Sequence, residues 1–97
     1  MKAIWSDEAD KTFAAIVDSI NRRFSEKEVN AFLEQTFAVI DAVETFPKLY
    51  PSIKVKGYKR VHKAVIHPHS TLFYEISKEQ IDILFFWDNR DNPEKLK

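Results

Sequence analysis

Ninety-seven residues, 44% apolar and 31% charged, make one globular domain and are too few for two. The absence of cysteine excludes a disulfide framework and any thiolate metal site. A formal net charge of zero argues against a strongly basic, non-specific nucleic-acid binder.

The opening Met1 to Asp10 carries Lys2, Asp7, Glu8 and Asp10 and lacks the apolar run of a signal peptide. Nothing later approaches the length of a membrane span, so a cytoplasmic protein is expected. Lys2 to Trp5 reads as one brief strand. Ser6 then offers an N-cap hydroxyl, and Asp7, Glu8 and Asp10 set negative charge against the positive end of a helix dipole. Ala9, Phe13, Ile16, Val17, Ile20 and Phe24 follow at spacings of three and four, which predicts a helix over 7–23 with one apolar stripe.

Ser25 and Glu28 form the Ser-x-x-Glu capping box of a second helix, which starts after almost no connection. Val29, Phe32, Leu33, Phe37, Ile40 and Val43 continue the helical period, with Thr36 beside Phe37. Phe46-Pro47 closes it, because a residue before proline is pushed out of the helical region. Two amphipathic helices joined so tightly form an antiparallel hairpin.

The period then changes. Residues 48–56, with Pro47 before them and Pro51 and Gly57 as breakers, read as a connecting loop. Tyr58 to His67 alternates, with Val61, Lys63 and Val65 on one face and His62, Ala64 and Ile66 on the other. Pro68-His69-Ser70 is a turn, Thr71 to Ile76 a β-branched and aromatic strand, and Ser77 to Gln80 a second turn. Ile81 to Trp87 is nearly all apolar, as a central strand covered on both faces should be. Short turns make these three strands an antiparallel meander. The fold class is α+β, in the order β-α-α-β-β-β, with the helical hairpin packed on an antiparallel sheet. Periodicity does not say where the first strand joins it.

Neutrality hides a division. Residues 1–47 hold five Lys/Arg and nine Asp/Glu, whereas residues 48–97 hold ten and six. Lys48, Lys54, Lys56, Lys59, Arg60 and Lys63 fall in one run without an acidic residue. Such a run is either a solvated loop and strand edge or a local field for phosphate or an acidic partner. His62, with His67 and His69 around Pro68, offers imidazoles for acid–base work near neutral pH, although a His-Pro-His-Ser turn also reads simply as a polar tip. No third ligand is placed to make a metal site, and no cofactor is implied. Asp88, Arg90 and Asp91 read as an ion-pair cluster fixing the last strand's exit. Trp87 reads as core or rim packing, or, if exposed, as a partner anchor.

The chain resembles the RelE/ParE superfamily of toxins from type II toxin–antitoxin, or plasmid stabilisation, systems. The resemblance is carried by Ile4-Trp5-Ser6-Asp7-Glu8-Ala9, by Ile16, Ile20 and Phe24, by Phe46-Pro47, by Tyr58-Lys59-Arg60, by Leu72-Phe73-Tyr74-Glu75-Ile76, and by Leu84 to Pro93 with Arg90. It implies one toxin domain over 1–97, neutralised by a small cognate antitoxin. The antitoxin is expected as a helix in the groove beside the hairpin and a strand at the sheet edge. A homodimer or a toxin–antitoxin hetero-oligomer is compatible with it. ParE-like members act by binding DNA gyrase without being enzymes, and RelE-like members cleave messenger RNA on the ribosome. The fold does not choose between them.

RNA cleavage needs a base, cations for the pentavalent phosphorane and an acid for the leaving oxygen. The resemblance places Arg60, His62 and Arg90 at such positions, and Lys63 joins them as a candidate in the endoribonuclease alternative. Thr71 stands where that set has an arginine, and Leu96 where it has a tail tyrosine. Two groups being absent, the favoured reading is a non-enzymatic, ParE-like growth inhibitor. Its partner or phosphate-binding surface would comprise Lys54, Lys56, Lys59, Arg60, Lys63, Trp87 and Arg90. The alternative is a RelE-like ribosome-dependent endoribonuclease.

Overall fold

A computed structural model describes residues 1–58 and 60–91. Lys59, Pro93 and Leu96, named above, lie outside the described residues. The first helix, α1, spans Asp7–Arg23, and its N-cap Ser6 accepts a hydrogen bond from the Ala9 amide at 2.9 Å. The second, α2, spans Glu26–Thr45 and is capped by Ser25, whose Oγ accepts from the Glu28 amide at 3.3 Å. Most of each apolar stripe is buried where spacing put it, but Phe24 at the end of α1 and Phe37 in α2 are exposed. Ala9, Ile16 and Ile20 from α1 meet Phe32, Ile40 and Val43 from α2 over one face of a sheet.

That sheet has five strands in the order β1-β5-β4-β3-β2. They are β1 (Lys2–Trp5), β2 (Ser52–Ile53), β3 (Val61–Ile66), β4 (Ser70–Ser77) and β5 (Gln80–Asp88). The meander β3-β4-β5 is antiparallel. The first strand adds at its far edge in parallel, with Lys2 opposite Gln80 and Trp5 opposite Ile83, so the sheet is mixed. Trp5 thereby joins an aromatic cluster under the hairpin, 5.2 Å from Phe13 and 5.1 Å from Phe86 between ring centroids.

Three features differ from the sequence expectation, the first being that the parallel β1 makes the sheet mixed instead of wholly antiparallel. The segment read wholly as a loop contains β2, which pairs with the start of β3 and so makes a fifth strand. The strand expected from Tyr58 starts only at Val61, because Val55 to Tyr58 close a turn (Tyr58 amide to Val55 carbonyl, 3.0 Å). Gly57 sits at its third position with φ +90°, where an L side chain is strained.

A β-bulge decides which side chains face the helices. Phe73 pairs with Phe85 and Tyr74 with Ile83, leaving Leu84 as the extra residue. Strict alternation would put Ile81, Ile83, Phe85 and Trp87 on one face. The bulge resets the phase, so Ile81, Ile83 and Phe86 enter the helix-covered core while Phe85 and Trp87 turn to the opposite face. Past Trp5, β1 no longer covers β5, and α1 hydroxyls take over. Ser6 Oγ donates to the Leu84 carbonyl at 2.7 Å, and Thr12 Oγ1 accepts from the Phe86 amide at 2.9 Å.

Candidate functional site

The face of the sheet away from the helices carries only a small cluster. Val55, Val61 and Phe73 are buried there, with Ile53, Leu84, Phe85 and Trp87 partly buried around them. Phe73 and Phe85 stack across β4 and β5 at 4.8 Å. Of two grooves here, the first, of about 340 Å³, lies at the sheet edge against α1, where Glu8, Thr12 and the inward-facing Phe86 also line it, and the second, of about 360 Å³, opens on this face. Lys56, Tyr58 and Phe85 line the first, and Lys63, Val65 and Thr71 the second. Trp87 lines both.

Local structure explains this arrangement. Alternation along β3 sends Val61, Lys63 and Val65 outward, Val61 being covered and Lys63 and Val65 exposed. The Gly57 turn brings Val55 and Tyr58 back over β5, so that Tyr58 lies 6.0 Å from Phe85. Lys54, Lys56, Arg60 and Lys63 are all exposed, and among the described residues none of them is in an ion pair.

The four groups suggested for RNA cleavage are not brought together. His62 points to the helix side of the sheet, the opposite face from Lys63. Its Nδ1 donates to the Tyr50 carbonyl at 2.8 Å, and its ring stacks on Tyr74 at 5.1 Å. Tyr74 in turn donates from its hydroxyl to the Pro47 carbonyl at 2.7 Å. Burial pushes the Tyr74 phenol from 10 up to about 12, against a hydrogen bond with the Tyr50 backbone that favours the ionised form. The pair pins the 47–50 segment to β3 and β4. This is a structural use of His62.

Arg90 lies at the tip of the hairpin, where α1 ends. Asp88 grips it through both carboxylate oxygens, at 3.1 Å to Nε and 2.7 Å to a terminal nitrogen, and it donates to the buried Ser19 hydroxyl at 2.7 Å. The guanidinium's hydrogen bond holds the Asp88 carboxyl below its ordinary range, and the carboxylate raises Arg90 in return. Beside them, His69 Nε2 meets Glu28 Oε2 at 2.8 Å under the edge of Phe24. Glu28 thus spends its carboxylate on the β3–β4 turn. Thr71, where an arginine was looked for, is buried and donates to Asn89 Oδ1 at 2.7 Å. His67 lines the second groove. Among the described residues no three His, Cys, Asp or Glu side chains gather as metal ligands, and no helix is long and apolar enough to cross a membrane.

Sequence reasoning missed Val55, Tyr58 and Phe85 as lining of this face. Gly57 was the available signal for the first two, since a lone glycine after a β-branched residue marks a tight return. No residue type signalled the bulge at Leu84.

The arrangement is that of a small α+β domain, with one sheet face sealed by helices and the other open. The model of the ParE toxin family, described as the ParE toxin of the type II toxin–antitoxin system parDE, matches residues 3–93. The chain therefore belongs to the ParE toxin family, and the match supports the ParE reading over the RelE alternative. Among solved structures it is similar to a chain of the chromosomal ParDE toxin–antitoxin system from P. aeruginosa. The TM-score is 0.73 at 13% identity, over 91% of this chain and 95% of that one, a likeness of fold. No curated protein matches the sequence.

Proposed function

We propose that this protein is the growth-inhibiting toxin of a two-component module, acting by binding DNA gyrase and neutralised by a cognate antitoxin. One observation carries the choice of binding over catalysis, namely the dispersal of Arg60, His62, Lys63 and Arg90. His62 is committed on the inner face, Lys63 stands on the outer face, and Arg90 is clasped by Asp88 at the hairpin tip. General acid–base work needs groups within hydrogen-bond reach of one reacting centre. The open face, with Lys54, Lys56, Arg60, Lys63 and Trp87, is the docking surface in this reading, and Lys59 belongs to the same basic run.

The antitoxin is assigned the hairpin side and the sheet edge. Phe24 and Phe37 are exposed on the hairpin at 58% and 53%, and β2 covers only the first residues of β3. Induction without antitoxin should arrest growth of a bacterial host, and co-expression of the neighbouring reading frame should restore it. Purified protein should inhibit gyrase supercoiling and leave ribosome-bound message intact. Message cleavage abolished by Arg60→Ala, with gyrase unaffected, would reverse the assignment to a ribosome-dependent endoribonuclease.

A further inference from the structure

We infer that the Ser6 hydroxyl fixes the phase of β5, and with it the face of the sheet that Trp87 occupies. This goes beyond the reading of the open face as a docking surface and holds whatever partner Trp87 meets there.

The bulge in β5 needs something to hold it. By strict alternation, Ile81 and Ile83 would be followed into the core by Phe85 and Trp87. The extra residue Leu84 moves every later side chain to the other face, so the unbulged strand is a competing arrangement of the same residues. Packing under the hairpin discriminates weakly between the two phases, because the side chains exchanged at the first position past the bulge are identical. Phe86 sits inside, 2% exposed and 4.9 Å from Phe13, while Phe85 stacks on Phe73 across the far face. A straight strand would put Phe85 under the hairpin and Phe86 outside.

The polar contacts at the α1 side differ in what they distinguish. Pairing of β1 stops at Trp5 opposite Ile83, and the Ser6 amide extends it by donating to the Ile83 carbonyl at 3.0 Å. Thr12 Oγ1 accepts from the Phe86 amide. In a straight strand the Phe85 amide would come to the same place, so Thr12 serves either phase. Leu84 is different. The bulge turns its carbonyl out of the β4 ladder, and Ser6 Oγ donates to it at 2.7 Å. In a straight strand that carbonyl would return to the ladder and the hydroxyl would lose its acceptor. A serine hydroxyl has one proton to give. Here it goes to Leu84, while the oxygen accepts from the Ala9 amide at 2.9 Å as the cap of α1. One side chain thus starts the helix and sets the strand. Further on, the bulged phase leaves Asp88 on the α1 side, where Arg90 bonds both it and Ser19.

The test uses the full chain carrying Trp5→Phe, which leaves Trp87 the sole tryptophan. Ser6→Asp keeps an oxygen to cap α1 but has no proton for the Leu84 carbonyl, whereas Ser6→Thr keeps both. With helix content by circular dichroism unchanged, Ser6→Asp should add a second indole N–H resonance and shift Trp87 emission to the blue. The population with Trp87 inward should rise at least about tenfold, the factor that corresponds to about 1.4 kcal/mol. Ser6→Thr should match the parent. Deletion of Leu84 removes the extra residue, so that alternation alone turns Trp87 outward. The shortened chain should keep the parent's single signal, and Ser6→Asp should leave that signal unmoved. Three results would overturn the inference. They are a parent-like single signal in Ser6→Asp, an effect of that substitution on Trp87 or on folding that is the same in the shortened chain, and an inward Trp87 after the deletion.

Discussion

The two faces of the sheet are built from the same strands and made for opposite ends. On the helix side, Leu72, Tyr74, Ile81 and Ile83 are wholly buried beneath Ala9, Ile16, Ile20, Phe32, Ile40 and Val43. On the far side the buried apolar side chains among the described residues are Val55, Val61 and Phe73, and Val65 and Tyr58 remain 45% and 38% exposed. Lys56 and Lys63 line grooves on or beside the second face; the imidazole and phenol of the first are used on backbone carbonyls. A sheet with one sealed face can hold its fold from that face alone and leave the other for partners. In the proposed reading, stability and recognition are separable by residue.

Leu72→Ala tests the separation most severely. It removes a wholly buried side chain and should cost about 2–5 kcal/mol in urea unfolding, whereas Trp87→Ala on the open face should cost about 1 kcal/mol or less. Equal losses would break the comparison. Tyr74 sharpens it through pH. Its phenol is raised from 10 to about 12, so the folded state keeps a proton that the unfolded chain gives up. The contribution is complete below pH 10 and is lost as pH rises toward 12. Wild type should therefore lose about 2–3 kcal/mol more than Tyr74→Phe across that window.

Gly57→Ala should cost about 1 kcal/mol through its positive φ alone, since a Cβ there meets nothing within 4 Å. Its larger consequence should be on the open face, as loosened placement of Val55 and Tyr58 read by Trp87 emission. Arg90→Ala should have a smaller effect, visible as pH falls. The Asp88 carboxyl, depressed by that guanidinium, contributes stability above its ordinary range that is lost as pH drops through its folded value. The variant should show a flatter acid limb in thermal unfolding. Least of all, Asp18→Ala breaks the exposed i,i+4 pair with Arg22 and should change stability by no more than about 0.5 kcal/mol.

How much of this was legible in the sequence depends on the range over which each feature is decided. The capped helices, their stripes and the assignment of Ala64 and Ile66 to the inner face of β3 follow from spacings within a few residues. The candidate site was legible in part. Lys54, Lys56, Arg60 and Lys63 are all exposed, and Lys56 and Lys63 line the same grooves as Trp87. Arg90 was grouped with them by family position and belongs elsewhere, because Ser19, 71 residues away in sequence, and Asp88 hold its guanidinium. His62 was put with Lys63 as a candidate through the family resemblance, although the alternation of the strand already set them on opposite faces.

By itself, then, the sequence determined the two capped helices, the antiparallel meander and the basic outer edge, all of which rest on local period, capping chemistry and side-chain charge. Tertiary structure alone decided that β1 joins β5 in parallel, that Ser52–Ile53 becomes a strand, and that Leu84 bulges so that Phe86 turns inward and Trp87 outward. Each depends on which backbone edge and which cavity another part of the chain presents. Such long-range pairing is chosen by the burial it completes and leaves no periodic mark on the residues that take part.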